Sequence, residues 1–140
     1  MLRKALLTIT LASFMCGAQT WLDDTLVVRN ILDANGVSIS AKKYISPAST
    51  LNPNTTRVLS LNLGKLGLRT LPGIGQLDKL IYLYLNDNAL TALPASIGNL
   101  TNLIYLNTTA NNLTELPDAI SNLSKLTHLY ANNNNLKTLP

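Results

Sequence analysis

Cysteine is nearly absent from this chain: Cys16 is the only one in 140 residues, so no internal disulfide framework exists. Histidine occurs once, at His128. No apolar run approaches the ~18–20 residues a helix needs to span a bilayer. Charge is sparse at 13% of residues, and the formal net charge of +4 is scattered along the chain. That leaves no electrostatic footprint for nucleic acid. Aromatic residues make up only 5%. What is abundant is leucine, roughly a fifth of the residues and about twice an ordinary globular share. A core built from one residue type points to one packing position used repeatedly.

The first residues read as an address. Arg3 and Lys4 form a basic region, and Ala5 to Cys16 is an apolar stretch of signal-peptide length. Cys16-Gly17-Ala18 then places small residues where a signal peptidase requires them. Residues 1–18 are therefore expected to be a signal peptide cleaved after Ala18, with the mature protein secreted or displayed outside the cytoplasm and not inserted in a membrane. Lipid anchoring at Cys16 is the weaker reading, because Phe14 and Met15 are too large for a bacterial lipidation motif. Without Arg3 and Lys4, nine basic residues face seven acidic ones.

From residue 58 the chain repeats itself. Val58-Leu59-Ser60-Leu61-Asn62-Leu63 opens one unit; Leu80-Ile81-Tyr82-Leu83-Tyr84-Leu85, Leu103-Ile104-Tyr105-Leu106-Asn107-Thr108 and Leu126-Thr127-His128-Leu129-Tyr130-Ala131 open the next three. The units are 58–79, 80–102, 103–125 and the partial 126–140, and each opening is followed by Leu-Pro, at residues 71, 93, 116 and 139. Within a unit, Leu83 and Leu85 alternate with Tyr82, Tyr84 and Asn86, the period-2 signature of a strand with one buried face. One such strand cannot bury its apolar side alone; stacked copies make a parallel sheet over a continuous leucine core. Leu90, Leu93, Ile97 and Leu100 are expected to reach the same core from the returning half of the turn, with Pro94 steering the chain off the strand. Asn88, Asn111 and Asn134 share one phase with that core. A buried amide there would bond to backbone groups of adjacent turns, so these three are expected to form a structural ladder.

This pattern resembles the leucine-rich repeat family. The L-x-x-L-x-L-x-x-N-x-L core falls within that family's 20–29-residue repeats, and the tails Leu93-Pro94-Ala95-Ser96-Ile97-Gly98-Asn99-Leu100 and Leu116-Pro117-Asp118-Ala119-Ile120-Ser121-Asn122-Leu123 look like its LP-x-x-I-G-x-L subtype. Three departures stand out: Leu66 replaces Asn in the first unit, Thr108 and Ala131 replace Leu, and the sequence stops at Pro140, half-way through a unit. The resemblance implies an α/β solenoid with a curved parallel sheet on its concave side and short helices or turns on its convex side. The last turn is then expected to leave its core uncovered, as in a fragment of a longer protein. Residues 19–57, which precede the repeats and carry no cysteine, look more like the caps of secreted bacterial repeats than the cysteine-flanked caps of many eukaryotic ones.

Residues 19–57 do not fit the repeat and are expected to form an N-terminal cap over one end of the core. Asp23 or Asp24 is a candidate helix N-cap. The predicted helix has the apolar face Leu22, Leu26, Ile31 and Leu32, with Val27 and Val28 alongside. Asn35-Gly36 would end it. Val37, Ile39 and Ala41 alternate with serines and predict a short strand, and Ser46 to Thr56 reads as a loop.

Catalytic chemistry finds no constellation. There is no G-x-S-x-G, H-E-x-x-H or Walker-type loop. The acids Asp23, Asp24, Asp33, Asp78, Asp87, Glu115 and Asp118 form no pair across one substrate. Asp87 and His128 lie two repeats apart and lack further metal ligands. No enzymatic activity, cofactor or metal is expected. Matches to Asn-x-Ser/Thr at Asn54, Asn99, Asn107, Asn112 and Asn122 largely fall out of the repeat consensus.

The remaining signal is the sheet's open face. The third positions read Ser60, Tyr82, Tyr105, His128; the fifth read Asn62, Tyr84, Asn107, Tyr130. The outer columns read Gly64, Asn86, Thr109, Asn132 and Lys65, Asp87, Ala110, Asn133. Four of the five tyrosines fall on this face, Tyr44 being the exception. Tyr82, Tyr84, Tyr105, Asn107, His128, Tyr130, Asn86 and Asp87 are the candidate contacts of a protein partner, bound by a monomer. Alternatives are a recognition segment of a longer protein whose effector region lies elsewhere, and a binder of cell-surface glycans. The competing reading of the tyrosines is that they are good strand formers packing on one another.

Overall fold

The computed structural model describes residues 21–38, 45–47 and 57–138. The expected signal peptide with Cys16, Leu22's side chain, residues 39–41 of the expected strand, Tyr44, Asn54 and the final Leu139-Pro140 lie outside them. The elements run α1 (Trp21–Ala34), β1 (Ile45–Pro47), β2 (Val58–Asn62), β3 (Tyr82–Tyr84), β4 (Tyr105–Asn107) and β5 (His128–Tyr130). Three 3-10 turns, Ile74–Gln76, Ala95–Asn99 and Asp118–Asn122, sit between the successive strands from β2 to β5. The strands form one sheet in chain order; β2 to β5 are parallel, and β1 pairs antiparallel with β2. The architecture is an α/β leucine-rich solenoid.

Each strand buries its leucines on one side. Leu61, Leu83 and Leu106 are fully buried, as are Leu68, Leu90 and Leu113 from the turns that follow and Ile74 and Ile97 from the 3-10 turns. The column ends differently in the last unit, where Leu129 is 41% exposed. Thr108 is fully buried at a leucine position, yet its hydroxyl donates to the Tyr130 carbonyl at 3.1 Å, so the polar atom is satisfied.

The Ile-Gly pair of the tail has a packing reason. A Cβ built on Gly98 would lie 2.6 Å from the Ala119 carbonyl oxygen, and one on Gly75 would strike the equivalent oxygen of Ser96. Stacked 3-10 turns approach too closely there for any side chain. Gly98→Ala is therefore expected to lower the unfolding free energy by about 1–3 kcal/mol, read as a lower urea midpoint.

α1 contributes Val27, Val28, Ile31 and Leu32 to the common core. Leu26, expected on that face, is 53% exposed. At about 100° per residue it falls opposite the centre of the Val27/Val28/Ile31/Leu32 stripe. The helix ends at Gly36 (φ 70°), with Gly36 N–H donating to Asp33 O and Val37 N–H to Leu32 O, a Schellman closure. Asp24 is not a helix cap. It lies inside α1, 2% exposed, and its carboxylate takes Arg57 Nε at 3.0 and 3.1 Å and the Val58 N–H at 2.8 Å. Residues 37–38 form no strand, and Ser46-Pro47, expected in a loop, belong to β1. β2 has an edge with no preceding repeat to pair with, and β1 supplies its partner, shifting register between Ser46 and Pro47 where proline lacks a donor.

Arg57 also reaches Asp78 at 2.5 Å, and Lys79 meets the other Asp78 oxygen at 3.0 Å. Desolvation pushes the Asp78 pKa up, but hydrogen bonds and charge from Lys79 and Arg57 outweigh it and hold Asp78 below the ordinary carboxylate value. The folded state therefore binds this proton less readily than the unfolded chain. The resulting stability is present above the unfolded pKa, about 4, and is lost as pH falls through the lower folded value. Urea midpoints between pH 6 and pH 3 should fall less steeply for Asp78→Asn than for the parent.

Candidate functional site: the open face of the sheet

The register of the parallel strands lines up the face residues. Ser60, Tyr82, Tyr105 and His128 are successive partners, as are Asn62, Tyr84, Asn107 and Tyr130. Alternation within each strand sends the intervening leucines to the core, so these two columns are left on the opposite side.

Five of the residues form one ring cluster centred on Tyr105. Its centroid lies 4.9 Å from Tyr84, 5.4 Å from Tyr130, 6.0 Å from His128 and 6.5 Å from Tyr82. Most of these pairs are tilted, the geometry that aromatic quadrupoles favour over face-to-face contact; His128 stacks on Tyr130 at 6.5 Å and 18°. Tyr105 and Tyr84 are half-buried, while Tyr82 and Tyr130 remain 42% and 41% exposed. Thr127 Oγ1 lies 2.8 Å from His128 Nδ1. The cross-strand packing and the open aromatic surface are thus one structure: rings that stabilise each other also lose little freedom on meeting a ligand.

The amides are ordered by short loops. Gly64 N–H donates to Asn62 Oδ1 at 3.0 Å, and Thr109 N–H to Asn107 Oδ1 at 2.9 Å, the same two-residue closure in two units. Asn86 and Asp87 lie past the end of β3 and bond to each other, Nδ2 to Oδ2, at 2.7 Å. The outermost column has a feature that its residue types hide: Lys65, Asp87, Ala110 and Asn133 all have φ between 54° and 62°. The chain turns there in the left-handed region. Asn and Asp tolerate it, whereas Ala110 is strained.

Beneath this face runs the asparagine ladder. Asn88 Oδ1 accepts from Leu66 and Leu68 N–H, and its Nδ2 donates to Leu63 and Leu85 O. Asn111 accepts from Leu90 N–H and donates to Leu85 and Thr108 O. Asn134 accepts from Leu113 N–H and donates to Thr108 and Ala131 O. Each amide ties its own turn to the preceding one. Leu66 stands at the first position of this column, where no earlier repeat exists to tie. Asn35 does a related job from the end of α1: Oδ1 accepts from Arg69 and Thr70 N–H, and Nδ2 donates to Ile31 and Thr70 O. Sequence reasoning missed Asn35 in this role and the Asp24–Arg57 pair, because neither follows the repeat phase.

Among the described residues no group of three His, Cys, Asp or Glu side chains could hold a metal ion, and no helix is long and apolar enough to cross a membrane. A depression lined by Ala34, Asn35, Gly67, Arg69 and Thr70 contains none of the aromatic residues.

Comparison with known proteins bears on the fold. A family model described as a leucine-rich repeat region matches residues 37–140. A solved leucine-rich repeat protein of Leptospira interrogans is similar at 36% identity and a TM-score of 0.50, over 57% of this chain and 26% of that one. The matched stretch thus spans about a quarter of the length of that relative. Curated protein sequences give no match.

Proposed function

Since the chain belongs to the leucine-rich repeat family, whose members are generally non-catalytic binding modules, we propose that it is a secreted or surface-displayed bacterial protein whose open sheet face recognises a protein partner. The observation that carries this reading is the ring cluster. Tyr82, Tyr84, Tyr105, His128 and Tyr130 touch one another on a face that the fold leaves uncovered. Tyrosine offers a large rigid surface with few rotamers to freeze, and interface hot spots are enriched in it. The basic-then-apolar-then-small order of residues 1–18 supports export. Asn107 and His128 act as polar contacts between the rings, and Asn86 with Asp87 forms the rim.

The test is capture from the native extracellular milieu, comparing the parent protein with Tyr82→Ala/Tyr105→Ala. Removing the central ring of Tyr105 and the exposed ring of Tyr82 is expected to weaken partner binding at least ~10-fold while circular dichroism stays unchanged. If the fold is intact and capture is equal, the face is not the site, and the opposite loops around Ala95-Ser96 and Asp118-Ala119 take its place.

A further inference from the structure

We propose that the Asn35-Gly36 dipeptide at the end of α1 is a self-modifying site. It is chemically stable while α1 is docked on the first repeat, it deamidates when α1 lifts away, and once deamidated it no longer lets the helix dock. The sequence contains this Asn-Gly pair once. It lies beside the depression lined by Ala34, Asn35, Gly67, Arg69 and Thr70, away from the ring cluster.

The chemistry needs only water. The backbone nitrogen of Gly36 attacks Cγ of the Asn35 side chain. The Cγ–Nδ2 bond breaks, and ammonia leaves with the proton that the Gly36 N–H gives up. Water then opens the cyclic imide at either carbonyl and leaves aspartate or isoaspartate. Glycine hinders the attack least of all residues, because it has no Cβ.

Docking holds both reactants. The Gly36 N–H donates to Asp33 O at 3.1 Å in the turn that closes the helix. The Asn35 amide is held at both ends. Oδ1 accepts from Arg69 N–H at 2.6 Å and Thr70 N–H at 3.1 Å, and Nδ2 donates to Ile31 O at 2.7 Å and Thr70 O at 2.9 Å. Attack makes Cγ tetrahedral and expels Nδ2, so the bonds to Ile31 and Thr70 must be given up before the imide forms. Arg69 and Thr70 belong to the first repeat, and their hold on the amide ends when α1 lifts away.

The product does not fit the same place. Aspartate puts an oxygen where Nδ2 was, and an ionised carboxylate only accepts. That oxygen faces the Ile31 and Thr70 carbonyls, which also only accept. The new negative charge sits at the C-terminal end of α1, where the helix dipole is already negative. Isoaspartate also inserts a methylene into the main chain. Arg69 is exposed, and an ion pair in solvent offsets little of this. The other polar tie of α1, Asp24 to Arg57, lies near its opposite end. Loss of the Asn35 amide therefore frees the half of α1 that carries Ile31 and Leu32 into the core.

The experiment incubates the full chain in mildly alkaline buffer, folded and in urea, and follows deamidation at Asn35 by peptide mapping. The folded chain is expected to deamidate at least ~10-fold more slowly, since the reaction must await the opening of α1. The urea-treated sample, once refolded, holds modified and unmodified chains in one tube. Trypsin cleavage after Arg29, an exposed residue inside α1, reports release of the helix. Modified chains should be cut there at least ~10-fold faster than unmodified ones, while cleavage after Lys125 in the repeats stays equal. Asn35→Asp should show the same faster cut after Arg29; if that variant fails to fold, the refolded mixture decides. Equal deamidation of the folded and unfolded chains overturns the proposal, as do modified chains, or a folded Asn35→Asp chain, cut after Arg29 at the parent rate. Equal acceleration after Lys125 also overturns it, because the whole fold and not the docking of α1 would then be lost.

Discussion

Replacing Arg57 with leucine is expected to lower the unfolding free energy by about 3–5 kcal/mol, measured as a shift of the urea midpoint at neutral pH. The reason is the group left behind. Asp24 is 2% exposed, and Arg57 Nε contacts both of its carboxylate oxygens. Losing one partner of a buried pair strands a charge in the interior, which costs about 3–5 kcal/mol. Burial acts to lower the Arg57 pKa, but the hydrogen bonds and charges of Asp24 and Asp78 outweigh it and raise it above its ordinary value. The guanidinium is therefore charged at neutral pH, where the midpoint is read. The double variant Asp24→Asn/Arg57→Leu should recover much of the loss: the neutral amide needs no counter-charge and can still accept from the Val58 N–H, which Asp24 now binds at 2.8 Å. A double variant no more stable than Arg57→Leu alone would show that the lost energy is packing and not charge.

Asn111→Leu is the second large expected effect, about 3 kcal/mol or more. Leucine is nearly the right size, and the surroundings are leucine. The cost arises from the backbone: Asn111 is 6% exposed and bonds to Leu90 N–H, Leu85 O and Thr108 O. Each buried backbone group left without a partner costs about 1–3 kcal/mol. The Leu85 carbonyl retains the Asn88 amide and the Thr108 carbonyl retains that of Asn134, so the Leu90 N–H bears the heaviest loss. Leu66 shows that leucine is acceptable in this column only where there is no earlier repeat to tie. Asn134→Leu, in the half-exposed last rung, should cost clearly less. Equal losses at the two positions would mean that burial is not what gives Asn111 its weight.

The repeat region was legible because its physics is local and periodic. Leu83 and Leu106 had to point inward once strands of period 2 were stacked, and Asn88, Asn111 and Asn134 had to meet the same backbone groups in every turn. One unit explains the others, so a single chain carries its own comparison set. The columns of the open face follow from the same phase, which is why Tyr82, Tyr105 and His128 could be placed side by side without coordinates.

The end of the array obeys no such rule. Asp24 and Arg57 are 33 residues apart and belong to no repeat, so only the docking of α1 brings their charges together. Helical phase sets Leu26 opposite the Val27/Val28/Ile31/Leu32 stripe, but which of the two sides is buried depended on where the repeats lie. Ser46 and Pro47 look like loop residues by composition, yet they pair with β2 because an uncovered strand edge takes whatever chain reaches it. The backbone torsions of Lys65 and Ala110 were hidden for a different reason: neither residue type advertises the left-handed conformation that stacking imposes on it. The sequence by itself thus determined the repeat, its core and the membership of its open face, since those depend on contacts between like units at fixed spacing. The tertiary structure alone decided how the helix seals the first unit, and that the five rings meet around Tyr105, because these contacts join parts with no shared period.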